Sequence, residues 1–124
     1  MGDAKTKKII ETEVSKVMGK FLKEQMGEQA ENVSAQVTGD TIIVRFKGIL
    51  PPAERVMVKD RKGIKLIKEL KEKLIEKAKP VLEVMIKNLT AAEVIDILSS
   101  FDAENGERIE VFTLSKDLEK ACRT

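Results

Sequence analysis

Chemistry in this chain has to come from carboxylates and amines, because the residues that usually carry it are missing. Across 124 residues there is no His, Trp or Tyr and a single Cys, Cys122. Without histidine the chain lacks the usual general base and the commonest metal ligand. With no histidine and one cysteine near the end of the sequence, zinc sites, His-based triads and thiol catalysis are effectively excluded, and neither GxxxxGKS/T nor GxGxxG occurs to cradle a nucleotide. Asp102, Glu104 and Glu107 cluster around a turn and could hold a divalent ion through oxygen ligands. Their spacing is not that of an EF-hand loop, and an acidic hairpin tip far more often serves solubility alone. Glu54 falls in the first turn of a helix, where the dipole alone favours an acid. No catalytic residue, metal ligand or cofactor is assigned, and the chain is read as not an enzyme. A carboxylate or metal-dependent enzyme at Glu54, Glu104 or Glu107 ranks third among the readings.

The basic residues were weighed against nucleic acid. Lys and Arg number 23 against 21 Asp and Glu, for a net charge of +2. A strong, sequence-independent nucleic-acid or membrane-surface binder needs a one-sided field, which this balance does not supply. Arg45, Lys47 and a lysine-rich long helix nevertheless define the alternative reading, a nucleic-acid-binding domain. Four Phe are the whole aromatic complement, which leaves little for bases to stack on.

The elements that would position these groups follow from periodicity. From Ala4 to Met26, the apolar residues Ile10, Val14, Val17 and Phe21 share one helical stripe, ended by Gly27. Val33, Ala35 and Val37 alternate with polar residues, as do Ile42, Val44 and Phe46, and the two-residue turn Gly39-Asp40 joins them into a hairpin. Pro52 opens a short helix through Lys59. Asp60 caps a long one, with Ile64, Ile67, Leu70, Leu74, Ala78, Val81, Met85 and Leu89 as its stripe. Pro80 is expected to kink this helix rather than end it, since the stripe stays in phase on both sides.

Residues 90–100 read two ways. Thr90-Ala91-Ala92-Glu93 satisfies a capping box, whereas Val94, Ile95, Ile97 and Leu98 are strand-like and precede the turn Asp102 to Gly106. The strand is favoured because Arg108 to Leu114 is a clear strand and needs a neighbour. Ser115 to Thr124 is at most a short helix anchored by Leu118.

The fold class expected is α+β, with one domain over 1–124. It has two layers, a four-stranded antiparallel sheet from two hairpins and helices on one face, in the order α-β-β-α-β-β. The second hairpin is apolar on both sides: Ile109 and Val111 oppose Phe112 and Leu114, and Ile95 with Ile97 opposes Val94 with Leu98. A strand apolar on both sides needs cover on both, so self-association is expected, a dimer above all. No apolar run reaches the ~20 residues that span a bilayer, and no signal-peptide core follows Met1. Gly2 and Thr6 match a myristoylation pattern that Asp3 makes coincidental. With Cys122 read as a free thiol, a soluble cytoplasmic protein is expected.

Taken in order, the motifs resemble those of the MpsC-type family. They are Ile42-Ile43-Val44-Arg45-Phe46-Lys47-Gly48-Ile49-Leu50, Pro52-Ala53-Glu54, Gly63, Leu70-Lys71-Glu72-Lys73-Leu74, Lys79-Pro80, Asn88-Leu89-Thr90, and Gly106-Glu107-Arg108 through Leu114. Phe21-Leu22-Lys23-Glu24 and Gly27 extend the resemblance over nearly the whole chain. The family is named for a proposed bacterial sodium-translocating, membrane-potential-generating system. The resemblance implies a small cytoplasmic accessory protein, tied to membrane ion or bicarbonate transport, with a membrane transporter subunit as partner. Pro52, Glu54 and Arg108 are its candidate binding residues. One departure stands out: after Leu89-Thr90 the family usually continues with Gly and a basic residue, where this chain has Ala91-Ala92.

Overall fold

The computed structural model describes residues 6–121; Gly2 and Cys122 lie outside them. The chain runs α1 (Lys7–Met26), β1 (Asn32–Thr38), β2 (Thr41–Lys47), α2 (Pro52–Met57), α3 (Arg61–Thr90), β3 (Val94–Asp102), β4 (Glu107–Leu114) and α4 (Leu118–Ala121). The four strands form one antiparallel sheet in the order β1-β2-β4-β3. The expected class and element order are borne out, and the short helices expected after Pro52 and around Leu118 are present as α2 and α4. The last strand sits beside β2, so β2 and β4 are central and β1 and β3 are edges.

Local chemistry sets the boundaries. Thr6 Oγ1 accepts from Ile9 N at 3.1 Å to start α1, and Gly27 ends it at φ 65°. Glu28 N then reaches back to Leu22 O at 3.1 Å, which turns Glu28 inward directly after the helix. Gly39, at φ 60°, takes the first position of the two-residue turn between Thr38 and Thr41. Asp60 Oδ1 accepts from Gly63 N at 2.7 Å to cap α3, which runs unbroken through Pro80.

All the buried apolar side chains lie on one side of the sheet, between it and the helices. Ile10, Val14, Met18, Phe21 and Leu22 of α1 pack with Ile42, Val44 and Phe46 of β2 and Phe112 and Leu114 of β4. Each such side chain taken fully from water contributes about 1.5–3 kcal/mol. Leu118 is buried as expected, and α4 docks on the first turn through Leu118 N to Gly39 O at 2.9 Å. The edge of β1 is guarded by Glu11, whose Oε2 accepts from Val37 N at 2.8 Å.

Two expectations change. First, the inner stripe of α3 is Ile67, Lys71, Ile75, Leu82 and Ile86, so Leu70 and Val81 are exposed. One residue is 100° of helix, and the Leu70-Leu74 spacing pointed the face one position out of phase. On α1, likewise, Met18 is buried where Val17 is only half-buried. Second, a bulge between Val94 and Asp96 shifts the face of β3. Val94 and Ile97 point inward, and Ile95 and Leu98 outward. The favoured strand reading of residues 90–100 holds: α3 continues to Thr90, whose Oγ1 donates to Ile86 O at 2.8 Å, and β3 follows from Val94.

Ala91 occupies the turn that the expected glycine would make. It sits at φ 61°, the single non-glycine residue with positive φ among those described, and its N–H bonds Lys87 O at 2.7 Å. An L side chain in that region costs roughly 1–2 kcal/mol. Ala91→Gly is therefore expected to raise stability by about 1 kcal/mol, read as a higher urea midpoint at unchanged m. Gly63 has the opposite constraint, since a Cβ there would sit 1.6 Å from Met57 O. Gly63→Ala is expected to lower stability by about 2 kcal/mol or more, because the α2–α3 junction must open.

Candidate functional site

A set of buried charges lies between the sheet and α3. Lys71, at the centre of the inward stripe, is 1% exposed. Its Nζ is hydrogen-bonded to Glu28 Oε2 and lies 2.8 Å from Glu54 Oε1, the latter off the direction of a hydrogen bond. Arg108 and Glu110 of β4 are equally enclosed, at 1% and 0% exposure. Arg108 Nη1 stands 3.5 Å from Glu110 Oε2 and 3.3 Å from Ser99 Oγ, and Ser99 Oγ donates to Glu110 Oε2 at 2.7 Å. Nη2 of Arg108 reaches Lys71 O at 3.4 Å, and the guanidinium lies 5.4 Å from the centre of the Phe101 ring, within cation–π range.

The elements explain the placement. Arg108, Glu110, Phe112 and Leu114 alternate onto the inner face, so the apolar Ile109 and Val111 are sent to the outer one. Phe101 is the register partner of Arg108, and Ser99 that of Glu110. Gly106, at φ 64°, starts β4 with its carbonyl accepting from Ile49 N at 3.0 Å, and the Leu50 side chain lies 3.3 Å from where its Cβ would be. That close approach holds the 48–52 loop, and with it Pro52 and Glu54, against the start of β4.

Of the three candidate binding residues, Glu54 and Arg108 meet at Lys71, and Pro52 is exposed on the rim of the adjoining groove. Pro52 opens α2, Glu54 pairs with Lys71, and Arg108 bonds the Lys71 carbonyl. Arg108 meets Ser99 and Phe101 across the hairpin, while its carboxylate partner Glu110 lies on its own strand. Lys71, Glu28 and Glu110 were missed as members of the cluster. The one available signal was the gap in the run Ile67, Ile75, Ala78, Leu82, Ile86, which a side chain at 71 completes.

Beside the cluster is a groove of about 400 Å³ lined by Glu28, Glu31, Gly48, Pro51, Pro52 and Arg55. A recess of about 300 Å³ continues it past Leu50 to Glu104 and Asn105. Gly48, at φ 67°, lets the Glu31 carboxylate lie over the backbone, 2.5 Å from where a Cβ would stand. The acids of the second turn do not gather. Asp102 is engaged by Asn105 Nδ2 at 2.7 Å and by backbone N–H groups, which hold its carboxyl below the usual range. Among the described residues no group of three or more acidic, His or Cys side chains is placed to hold a metal ion. Arg45 and Lys47 are exposed on the outer face of β2.

Burial pushes the Glu110 carboxyl above its ordinary value of 4.5, against the opposing pull of Ser99 and Arg108. Within the protein, Glu28 Oε1, Arg108 Nε and Glu110 Oε1 find no hydrogen-bond acceptor or donor. Unmatched buried atoms of this kind are a cost to the fold, and removing a partner from the pairs that are made would add to it.

A four-stranded sheet with helices on one face, and charged motif residues joined beneath a groove, defines an α+β domain built around an internal ion network. Over residues 6–116 the chain matches the family described as "MpsC: Na+-translocating membrane potential-generating system (MpsC)", and it belongs to that family. It is 35% identical over 116 residues to the "Uncharacterized protein YbcI" of Bacillus subtilis (strain 168), covering 94% of each chain. No solved structure matches it. No helix among the described residues is long and apolar enough to cross a membrane.

Removing one member of a buried pair strands the other. Arg108→Met is expected to cost about 3–5 kcal/mol, and Arg108→Met with Glu110→Leu to recover most of that loss. Urea unfolding of the two single variants and the double variant checks this; additive losses would show that the two charges do not interact. The pH dependence has a definite sign. A carboxyl whose folded-state pKa lies above its unfolded value penalises the fold above that pKa, and the penalty lifts as pH falls toward 4.5. Arg108→Met should therefore show stability falling more steeply than wild type as pH rises from acid to neutral, and adding Glu110→Gln should flatten the slope.

Proposed function

We propose that this protein is a non-enzymatic accessory module that docks on a subunit of a membrane ion or bicarbonate transport system, working at its cytoplasmic side as a homo-oligomer, with a dimer favoured. The observation that carries this reading is the meeting of Glu54 and Arg108 at Lys71, beside a groove that Pro52 lines. The charges of Glu54 and Arg108 are engaged by Lys71 and Glu110 inside the fold, which shapes the adjoining groove rather than leaving a reactive group in it. A groove edged by one exposed base, Arg55, and one exposed acid, Glu31, suits a polar protein segment. The family description supplies the membrane system as the place to look for it.

Nucleic acid is the weaker reading. Arg45 and Lys47 share their face with Asp96, Asp102 and Glu107, which repel phosphate. An enzyme at Glu54 is disfavoured by the Lys71 ion pair that already occupies its carboxylate.

The test is capture from solubilised membranes of the native organism, with wild type and Arg55→Glu as baits and identification by mass spectrometry. Wild type is expected to enrich a subunit of an ion-transport complex and Arg55→Glu to lose it, with equal urea midpoints for the two baits. If wild type enriches no such subunit over an unrelated bait, the docking role is wrong.

A further inference from the structure

The outer face of the sheet is open and divided in a regular way. All four helices lie on the other side, and here Ile95 and Leu98 are 64% and 60% exposed. Ile43, Val111 and Leu98 form one cross-strand row, with Ile109 beside it. The charges around this apolar row separate by strand. Arg45 and Lys47 stand on β2, whereas Glu107 stands on β4 and Asp96 and Asp102 on β3. The β1–β2 half of the face is basic and the β4–β3 half is acidic, with the boundary running between the two central strands and parallel to them.

A two-fold axis along that boundary, in the plane of the face, lays β2 of one copy over β4 of another. Ile43 then meets Val111 of the second copy, and Lys47 meets Glu107, each pair occurring twice as a two-fold requires. Aligned sheets pack face to face in this manner, offset by their twist.

We infer that the open face is the interface of a two-fold homodimer in which the basic half of each sheet covers the acidic half of the other. The inference rests on the self-associating part of the function proposed above and assigns its surface. Nucleic acid or an anionic membrane would be drawn to half of this face and repelled by the other half; a second copy sets Lys47 against Glu107 twice and lays the acids of β3 over uncharged residues of β1. Four strands about 4.8 Å apart and about seven residues long offer roughly 450 Å² of sheet per copy, which is small for a specific interface. The dimer is therefore expected to dissociate on dilution.

The experiment is sedimentation of the full chain across a wide concentration range. Wild type should pass from dimer to monomer on dilution. Leu98→Asp should remain monomeric with a urea midpoint close to that of wild-type monomer, since Leu98 is exposed in the protomer. Lys47→Glu and Glu107→Lys should each weaken association about tenfold or more by facing like charges across the axis. An equimolar mixture of those two variants should regain wild-type association, because every facing pair is then Glu against Lys. Recovery on mixing cannot come from repair within a protomer. A wild type that is monomeric at every concentration overturns both this inference and the self-association it rests on. A wild-type dimer indifferent to Leu98→Asp, or a mixture that fails to recover, overturns the face alone.

Discussion

Burial of Lys71 is the constraint on which the rest of the structure depends. An ammonium cannot be enclosed at the centre of a helix's inward stripe unless carboxylates come to it. The two that do, Glu28 and Glu54, arrive from different parts of the chain, one just after α1 and the other on α2. The Lys71 carbonyl in turn receives Arg108 from β4, which brings Glu110, Ser99 and Phe101 with it. The loop after α1, the helices α2 and α3, and the second hairpin are thereby tied at one place. Apolar residues of equal volume would bind these elements as firmly, but they would accept several arrangements. Charges accept only those in which each finds its opposite.

Several glycines and turns make sense as servants of that arrangement. Gly27 ends α1 so that Glu28 folds back toward Lys71, Gly106 brings the 48–52 loop against β4, and Gly63 allows α2 to lie close enough to α3 for Glu54 to reach across. The cost falls on the other side of the sheet. Because Arg108 and Glu110 take inner positions on β4, strict alternation sends Ile109 and Val111 outward. The bulge in β3 does the same to Ile95 and Leu98. An inner face that holds charge and an outer face that holds apolar side chains are thus two consequences of one register.

Much of the fold was legible in the sequence because its signals are local. Alternation in β1 and β2, the Gly39-Asp40 turn, Pro52 at the start of α2 and Asp60 at the start of α3 each act within a few residues, and the class and element order followed from them. Glu54 and Arg108 were legible only as members of separate motifs, with nothing to place both at Lys71. The inner stripe of α3 was misread because the rule that apolar residues face inward fails where a lysine does so. Leu70 and Leu74 offered an equally regular pattern one position away, and nothing within the helix could choose between them.

What the sequence by itself determined is therefore the kind of elements, their order, and the lack of any histidine to do chemistry, since these depend on residue types and short-range spacing. The tertiary structure alone decided the strand order, the face each residue of β3 and β4 presents, and the partners of Lys71 and Arg108. The physical reason is that a buried charge takes its side from whichever opposite charge can reach it, and Glu28 lies 43 residues from Lys71 along the chain. Only folding brings the two together, and only their pairing makes the burial affordable in free energy.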